Sequence, residues 1–212
     1  MKKTLFILAV CFLQITAFSQ KSTVGIMAGV TISNINTKQN GVSKNGDSKN
    51  SFTAGMVLDV PICKHIGFMP DLNYVQKGRI DQTSTQFTTT KNTTVLNYAQ
   101  LDFNFVYVNT TKSFFIGLGP TVDLNFPSKF VNSVNGQKTE KEVKFGKTAA
   151  DNYRGFDYGG NFVTGFRFKK GFVFAFNYTQ GLRDLTPVHS SGNKINTTSF
   201  GLRVGWFFKN KK

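Results

Sequence analysis

The feature that most constrains this chain of 212 residues is an alternation of apolar and non-apolar side chains, which recurs in eight segments. In residues 171–182, GFVFAFNYTQGL, every second position is aromatic (Phe172, Phe174, Phe176, Tyr178), and the positions between them hold small or polar residues. Successive side chains of a β-strand point to opposite faces, so a period of two residues predicts strands with one apolar face. The sequence therefore predicts an all-β fold.

The eight segments have the length and spacing of strands that cross a membrane. Each has about ten to thirteen residues, which a tilted strand needs to span the hydrocarbon layer. Long polar connections alternate with the short turns PICKHI, NTTK and KKG. An even number of antiparallel strands with long loops at one end and tight turns at the other is typical of bacterial outer-membrane barrels. The long connections are residues 35–50, 79–96, 127–155 and 183–196.

The two faces of the segments predict which side of each strand meets lipid. Glycines and nearly all of the charged residues stand between the apolar positions. An eight-stranded barrel has an interior just wide enough for side chains, so bulky rings suit the lipid side and small or charged groups suit the lumen. We predict an eight-stranded antiparallel up-and-down transmembrane β-barrel with a plugged lumen, similar in architecture to OmpA and OmpX, with both termini in the periplasm. The aromatic residues predicted to face lipid include Phe172, Phe174, Phe176, Tyr178, Phe200, Trp206 and Phe208.

The inward charges are interpreted as ion pairs that fill the lumen. Charges removed from water need partners of opposite sign, and the direction of each strand places acids and bases at similar depths. The alternative is a proton or ion path through the same residues, which would make the protein a narrow transport pore. The predicted lumen charge network consists of Asp59, Asp71, Lys77, Asp102, Asp123, Asp157, Arg167, Arg183 and Arg203.

The start of the chain has the pattern of a secretory signal peptide. Two lysines precede an apolar stretch, and Ala17 and Ser19 occupy the small positions before a cleavage site. We predict a signal peptide at 1–19 and a single barrel domain at 20–212. The mature chain keeps one cysteine, Cys63, and therefore has no internal disulfide.

The net charge of +15 is concentrated near the predicted membrane boundaries. Lysines in or beside the short turns form a predicted basic periplasmic rim, which contacts lipid phosphate or, alternatively, an acidic periplasmic protein. The longest loop, 127–155, is either a mobile polar loop or a binding surface for lipopolysaccharide phosphate. Nucleic acid is excluded as a partner, because the chain is exported and has no base-reading motif. The rim consists of Lys64, Lys112, Lys169 and Lys170.

Residues with catalytic chemistry are few and scattered. His65 lies in a short turn and His189 in the last loop, at opposite ends of the predicted barrel. His189 stands beside two serines with Asp184 nearby, but a catalytic triad depends on geometry rather than on proximity in sequence. The chain has no cluster with metal-ligand spacing. We predict that the protein is not an enzyme and binds no metal or cofactor.

Several strand motifs resemble the PorT-like outer-membrane β-barrel family, also called the porin family. The resemblance covers nearly the whole mature chain and implies an eight-stranded barrel in a bacterial outer membrane. Some members of that family are linked to protein export by the type IX route, while most have no assigned role. The motifs are GIMAGVTISN, DLNYVQKG, LNYAQLDFNF, IGLGPTVD, FDYGGNFVTGF, NYTQGLRDL and FGLRVGWFF.

These features predict a structural or interaction role, exercised through the extracellular loops and the basic periplasmic rim. The predicted partners are outer-membrane lipids, lipopolysaccharide and a periplasmic or secretion-machinery protein. Three alternatives stay open at this stage: an accessory of type IX secretion, a narrow transport pore, and an exported soluble binder of the lipocalin type. The lipocalin alternative requires the aromatic rings to point inward.

Overall fold

The computed structural model describes residues 22–44, 46–188 and 193–208, so the predicted signal peptide lies outside the described residues. This part of the chain contains no helix long and apolar enough to cross a membrane. Its ten strands are β1 (Thr23–Gln39), β2 (Val42–Lys44), β3 (Asp47–Pro61), β4 (Ile66–Ser84), β5 (Thr89–Val108), β6 (Phe114–Val134), β7 (Gln137–Glu142), β8 (Phe156–Arg167), β9 (Phe172–Gly181) and β10 (Lys194–Phe207).

Eight of these strands form a closed antiparallel ring. The order around the ring is β1, β3, β4, β5, β6, β8, β9, β10, and β10 pairs back onto β1. This closing pair is long: it runs from Gly25 opposite Phe207 to Lys38 opposite Lys194. A closed ring gives every strand two neighbours, which satisfies the backbone hydrogen bonds that lipid cannot satisfy. The predicted eight-stranded up-and-down barrel is confirmed.

The alternation of the sequence sets the two faces of the wall. Phe172 and Phe174 are each 39 % exposed on the outer face, whereas Val173 and Ala175 on the inner face are fully buried. The structure places the predicted lipid-facing aromatic residues on this outer face or, for Phe208, just past the end of β10. The outer face is therefore apolar around the barrel.

Aromatic rings on the outer face gather toward its two ends. Near the long-loop end, Tyr74 lies 5.4 Å from Phe52 and 6.5 Å from Phe126, measured between ring centroids. Near the short-turn end, Phe114 pairs with Phe166 at 5.3 Å. Aromatic girdles at both interfaces are typical of barrels that sit in a bilayer.

Several strands extend into the predicted loops, and three of them, β4, β5 and β6, continue beyond the barrel wall as a paired sheet. The connection expected at 79–96 is mostly strand and that at 127–155 about half strand, because β4 runs to Ser84, β5 begins at Thr89 and β6 continues to Val134. The connection expected at 35–50 is also mostly strand, in the end of β1, in β2 and in the start of β3. The extensions of β4, β5 and β6 pair with one another and with β7. We call this part the extracellular sheet. It comprises residues 79–84, 89–94, 129–134 and 137–142.

The prediction of long irregular loops at these positions was wrong for a physical reason. Above the membrane both faces of a strand meet water, so the sequence loses the apolar alternation that marked the strands below. Threonine, which has a high strand propensity, occupies many of these positions, as in TTTKNTT at residues 88–94. The strands are therefore present without an apolar face.

Candidate functional site

The lower lumen, near the short turns, combines one ion pair with an apolar cluster. Arg167 binds the Asp59 carboxylate through both terminal nitrogens, with Nη2 3.1 Å from Oδ1. The same guanidinium lies 5.0 Å from the ring centroid of Phe115 and 5.2 Å from that of Phe207. Cation–π contacts of this kind stabilise a desolvated cation. The buried apolar residues of this level are Met27, Val57, Met69, Val106, Val108, Phe115, Val163, Val173, Ala175 and Phe207.

The middle of the lumen is organised by Arg203. Its Nη1 lies 2.7 Å from Asp71 Oδ2 and donates to Asn73 Oδ1 at 2.8 Å. Asp102 is the register partner of Asp71 on the neighbouring strand, and both are buried. Asp102 Oδ1 accepts a hydrogen bond from Gln100 Nε2 at 2.9 Å. Two adjacent carboxyl groups are therefore buried at this level with one cation, which contacts Asp71.

The upper lumen repeats this arrangement around Lys77. Its Nζ lies 2.6 Å from Asp123 Oδ2 and 5.4 Å from the ring centroid of Tyr98. Asp157 is the register partner of Asp123, and its Oδ2 accepts a hydrogen bond from Thr197 at 2.8 Å. Lys77 and Asp157 are fully buried. Here too, two adjacent carboxyl groups are buried with one cation, which contacts Asp123.

The remaining member of the predicted network, Arg183, is not in the lumen, and that prediction was wrong. Its guanidinium carbon lies 3.6 Å from the ring centroid of Phe156, which is on the outer face, and its Nη1 donates to Phe156 O at 3.1 Å. The strand β9 ends at Gly181, so the two-residue period does not extend to position 183. With five aspartates and three cations inward, the network sums to −2 rather than the −1 predicted with Arg183.

The lumen mouth is covered by an apolar cluster that the sequence did not predict. Residues 143–154 fold over the barrel, and Val143 is buried against residues of the wall. Phe145 and Tyr153 form a β-bridge, with Gly146 N donating to Tyr153 O at 2.9 Å. Leu185 from the last loop is fully buried beside them, bonded to Arg154 N through its carbonyl. We call residues 143–154 and Leu185 the cap.

The cap packs on side chains from four strands, β1, β5, β6 and β10, and polar groups within it form further contacts. Burial raises the pKa of the Tyr153 hydroxyl above its ordinary value. Hydrogen bonds from the Thr148 side chain and backbone lower the pKa of Asp151. The interpretation of these residues as a purely polar loop was wrong, because VKF at 143–145 supplies apolar groups that close the mouth. The cluster beneath and within the cap consists of Ile35, Leu96, Tyr98, Phe130, Val143, Phe145, Tyr153 and Ile195.

The lysines of the predicted basic rim lie at one end of the barrel, in the three short turns. Lys64 is in the β3–β4 turn, Lys112 is in the β5–β6 turn, and Lys169 and Lys170 are in the β8–β9 turn. All four are exposed. The described ends of the chain, Ser22 and Phe208, flank β1 and β10 at the same end. The four lysines of the rim and both described ends of the chain therefore lie at the same end of the barrel.

Groups with catalytic potential are not brought together in the part of the chain that the structure describes. His65 stacks on Tyr107, with ring centroids 5.8 Å apart, and its Nδ1 lies 3.2 Å from Val108 O. His189 and the two serines that follow it lie outside the described residues. Among residues 22–44, 46–188 and 193–208, no group of three or more His, Cys, Asp or Glu side chains could hold a metal ion.

Comparison with models of protein families shows the family to which the chain belongs. The model of the outer membrane protein beta-barrel domain family matches residues 18–186, which is most of the chain. The chain belongs to this family. The protein is therefore located in the bacterial outer membrane, which confirms the predicted location. The soluble lipocalin alternative was wrong, because the rings of the barrel point outward into lipid.

Solved structures of other bacterial barrels are similar to this outer membrane β-barrel. Ail, the attachment invasion locus protein of Yersinia pestis, is 15 % identical, with 89 % of this chain and 100 % of that chain covered and a TM-score of 0.40. Neisserial surface protein A is 9 % identical, with the same coverage of both chains and a TM-score of 0.45. OprG from Pseudomonas aeruginosa is 10 % identical, covering 88 % of this chain and 96 % of that chain, with a TM-score of 0.31. No curated protein matches the sequence.

Proposed function

We propose that this outer-membrane barrel is a sealed anchor that presents its extracellular sheet to a partner, and that it catalyses no reaction. The observation that supports this proposal is the filling of the lumen at three levels. Arg167 and an apolar cluster occupy the bottom, Arg203 with two carboxyl groups occupies the middle, and Lys77 with two more occupies the upper lumen, which the cap covers. A lumen filled in this way serves anchorage better than transport.

The extracellular sheet has the properties of an interaction surface. Its strands are paired row by row, from Arg79–Thr94–Phe130–Lys141 up to Thr83–Thr90–Val134–Gln137. A paired sheet is rigid, so its backbone loses little conformational entropy when a partner binds. At the tip of the β4–β5 hairpin, Phe87 is 86 % exposed. An aromatic ring held in water at the far end of a rigid hairpin is suited to contact a partner.

Photocrosslinking at the tip tests this proposal. A photoreactive phenylalanine analogue at Phe87, in intact cells, is expected to give adducts with a protein or glycan. The matched control is the same analogue at Leu118, which is also on the outer surface but within the lipid-facing belt, and which is expected to label lipid alone. The absence of any adduct at Phe87, or identical adducts at both positions, would contradict the proposal. The narrow-pore alternative predicts stable single-channel steps in a planar bilayer, which a sealed anchor does not produce.

A second candidate function uses the basic periplasmic rim. Its four exposed lysines in three adjacent turns form a surface that suits an acidic periplasmic partner. Membership of the PorT-like group, and with it an accessory role in type IX secretion, is a prediction supported by the strand motifs. Replacing Lys64, Lys112, Lys169 and Lys170 with glutamine is then expected to change the set of secreted proteins as gene deletion does. An unchanged secretome after deletion would contradict the secretion role and leave the extracellular interaction intact.

A further inference from the structure

Three cations lie on the outer face of the barrel near its extracellular side: Lys38 and Lys194 on the paired strands β1 and β10, and Arg183 after β9, with its guanidinium above Phe156 of β8. Lys38 on β1 and Lys194 on β10 are register partners, and both are exposed. They share the strand face of the lipid-facing Ile32 and Phe200, because each lies an even number of residues away. Arg183 follows β9 on the same side of the barrel, above Phe156. We call these three residues the cation patch.

The charges of the cation patch are not balanced by the protein around it. Like charges directly opposite each other on neighbouring strands are destabilising, yet Lys38 and Lys194 are so placed. None of the three has an ion-pair partner among the described residues. The adjacent acid, Asp184, directs Oδ1 toward Thr186 and Ile195, accepting their backbone N–H groups at 3.0 Å. An anion supplied from outside the chain would therefore relieve the repulsion.

A band of amide and hydroxyl groups lies directly below the cation patch. Asn36 Nδ2 donates to Thr198 Oγ1 at 3.0 Å, and Thr198 Oγ1 donates to Gln180 Oε1 at 3.1 Å. Asn196 Nδ2 donates to Arg183 O at 3.0 Å, which ties this band to the cation patch. These side chains are partly exposed on the outer face and can also bond to a polar ligand.

Aromatic rings lie below the amide band. Tyr178 packs on Phe200 at 4.8 Å between ring centroids, and its hydroxyl donates to Gln180 Oε1 at 2.9 Å. Phe176 continues this surface at 6.3 Å from Phe200. From the membrane outward, the surface therefore changes from rings to amides to cations. That order matches the parts of an amphiphile with acyl chains, a sugar headgroup and phosphate.

We propose that this surface binds a phosphorylated glycolipid of the outer leaflet. The phosphate lies between the register partners Lys38 and Lys194, which donate charge-assisted hydrogen bonds, and Arg183 above Phe156 attracts the anionic headgroup from the neighbouring strands. The sugar hydroxyls bond to Asn36, Asn196 and neighbouring amides, and the acyl chains run along the rings below. The site is separate from the extracellular sheet and depends only on the outer-membrane location. An experiment that disproves the glycolipid site therefore leaves the proposed function intact, and an experiment that disproves the proposed function leaves the glycolipid site intact.

Native mass spectrometry of the full-length barrel tests the site, with bisphosphorylated lipid A as the probe. We expect the intact protein to retain this lipid in preference to dephosphorylated lipid A and to phosphatidylglycerol. The variant K38Q/R183Q/K194Q is expected to lose about tenfold or more of that retention, because each cation contributes to holding an anionic headgroup. The matched control K91Q/K138Q/K141Q removes the same charge from the extracellular sheet and is expected to stay within about twofold of the parent.

Three outcomes of the mass spectrometry would overturn the proposal. Equal retention by the two triple variants would overturn the proposal, as would equal binding of the phosphorylated and dephosphorylated glycolipid. Equal binding of phosphatidylglycerol would show general attraction of anionic lipid, and would also overturn it. Heat-dependent mobility on SDS gels establishes that each variant is a folded barrel. If K38Q/R183Q/K194Q does not fold, the single variant R183Q carries the comparison, since Arg183 lies outside the strands.

Discussion

Arg203 shows how one residue fixes both the orientation and the filling of this barrel. Its neighbours Leu202 and Val204 lie on the lipid-facing surface, while Arg203 is almost fully buried in the lumen. There it contacts Asp71 and Asn73 from the far side of the closed ring. A desolvated carboxylate that loses such a partner is left as an uncompensated buried charge. Stability is therefore sensitive to this residue in a way that a surface pair is not.

Replacing Arg203 with alanine is expected to lower the free energy of unfolding by about 3–5 kcal/mol, because Asp71 stays buried without a cation. The matched control is Lys129→Ala, which removes an exposed pair with Glu140 and is expected to cost less than about 1 kcal/mol. Urea titration of the barrel folded in lipid vesicles measures both. Adding Asp71→Asn to the Arg203 variant is expected to recover part of the loss. Equal costs for the two single variants would contradict a buried, stabilising pair.

At the scale of strands and loops, the sequence predicts structure wherever one face meets lipid and the other does not. The faces of all eight barrel strands follow from the two-residue period, as the contrast of Phe174 with Ala175 shows. The extracellular extensions carry no such contrast, so the alternation of the sequence does not predict them as strands. The predicted position of Arg183 in the lumen was wrong for a related reason, since the two-residue period ends with β9 at Gly181.

The cap could not be predicted from spacing alone, because its parts are distant in sequence. Val143 and Tyr153 meet Leu96 and Ile35 only after the ring has closed. The local signal was weak: two apolar residues, Val143 and Phe145, in an otherwise charged stretch. The pairing of cation with carboxylate in the lumen was easier to foresee, since strand direction gives each inward residue an approximate depth.

Replacing Leu185 with alanine is expected to loosen the cap. Leu185 is fully buried, and truncating a buried leucine costs about 2–5 kcal/mol. The expected result is faster proteolysis of residues 143–155 in intact cells, with the barrel itself unchanged on unheated gels. Leu182→Ala is the matched control, because Leu182 is 60 % exposed, and it is expected to leave the cleavage rate near that of the parent. Equal cleavage in both variants would contradict the packing of the cap on Leu185.

At the scale of the whole molecule, closure and orientation depend on each other. The ring is closed by β1 and β10, so backbone groups inside the bilayer have partners on both sides of each strand. Given closure, the residues at alternate positions must divide between lipid and lumen, and the narrow lumen accepts only small groups or paired charges. Family membership, an outward apolar surface and a filled interior then describe one object: a closed barrel anchored in the outer membrane.

Quenching of Trp206, the single tryptophan of the chain, tests this orientation most directly. Trp206 is 42 % exposed on the outer face, whereas its neighbour Phe207 is buried in the lumen. In vesicles, brominated acyl chains are expected to quench Trp206 strongly, and a variant that moves the tryptophan inward, W206F/F207W, is expected to be quenched little. Strong quenching of the inward tryptophan together with weak quenching of Trp206 would contradict the account.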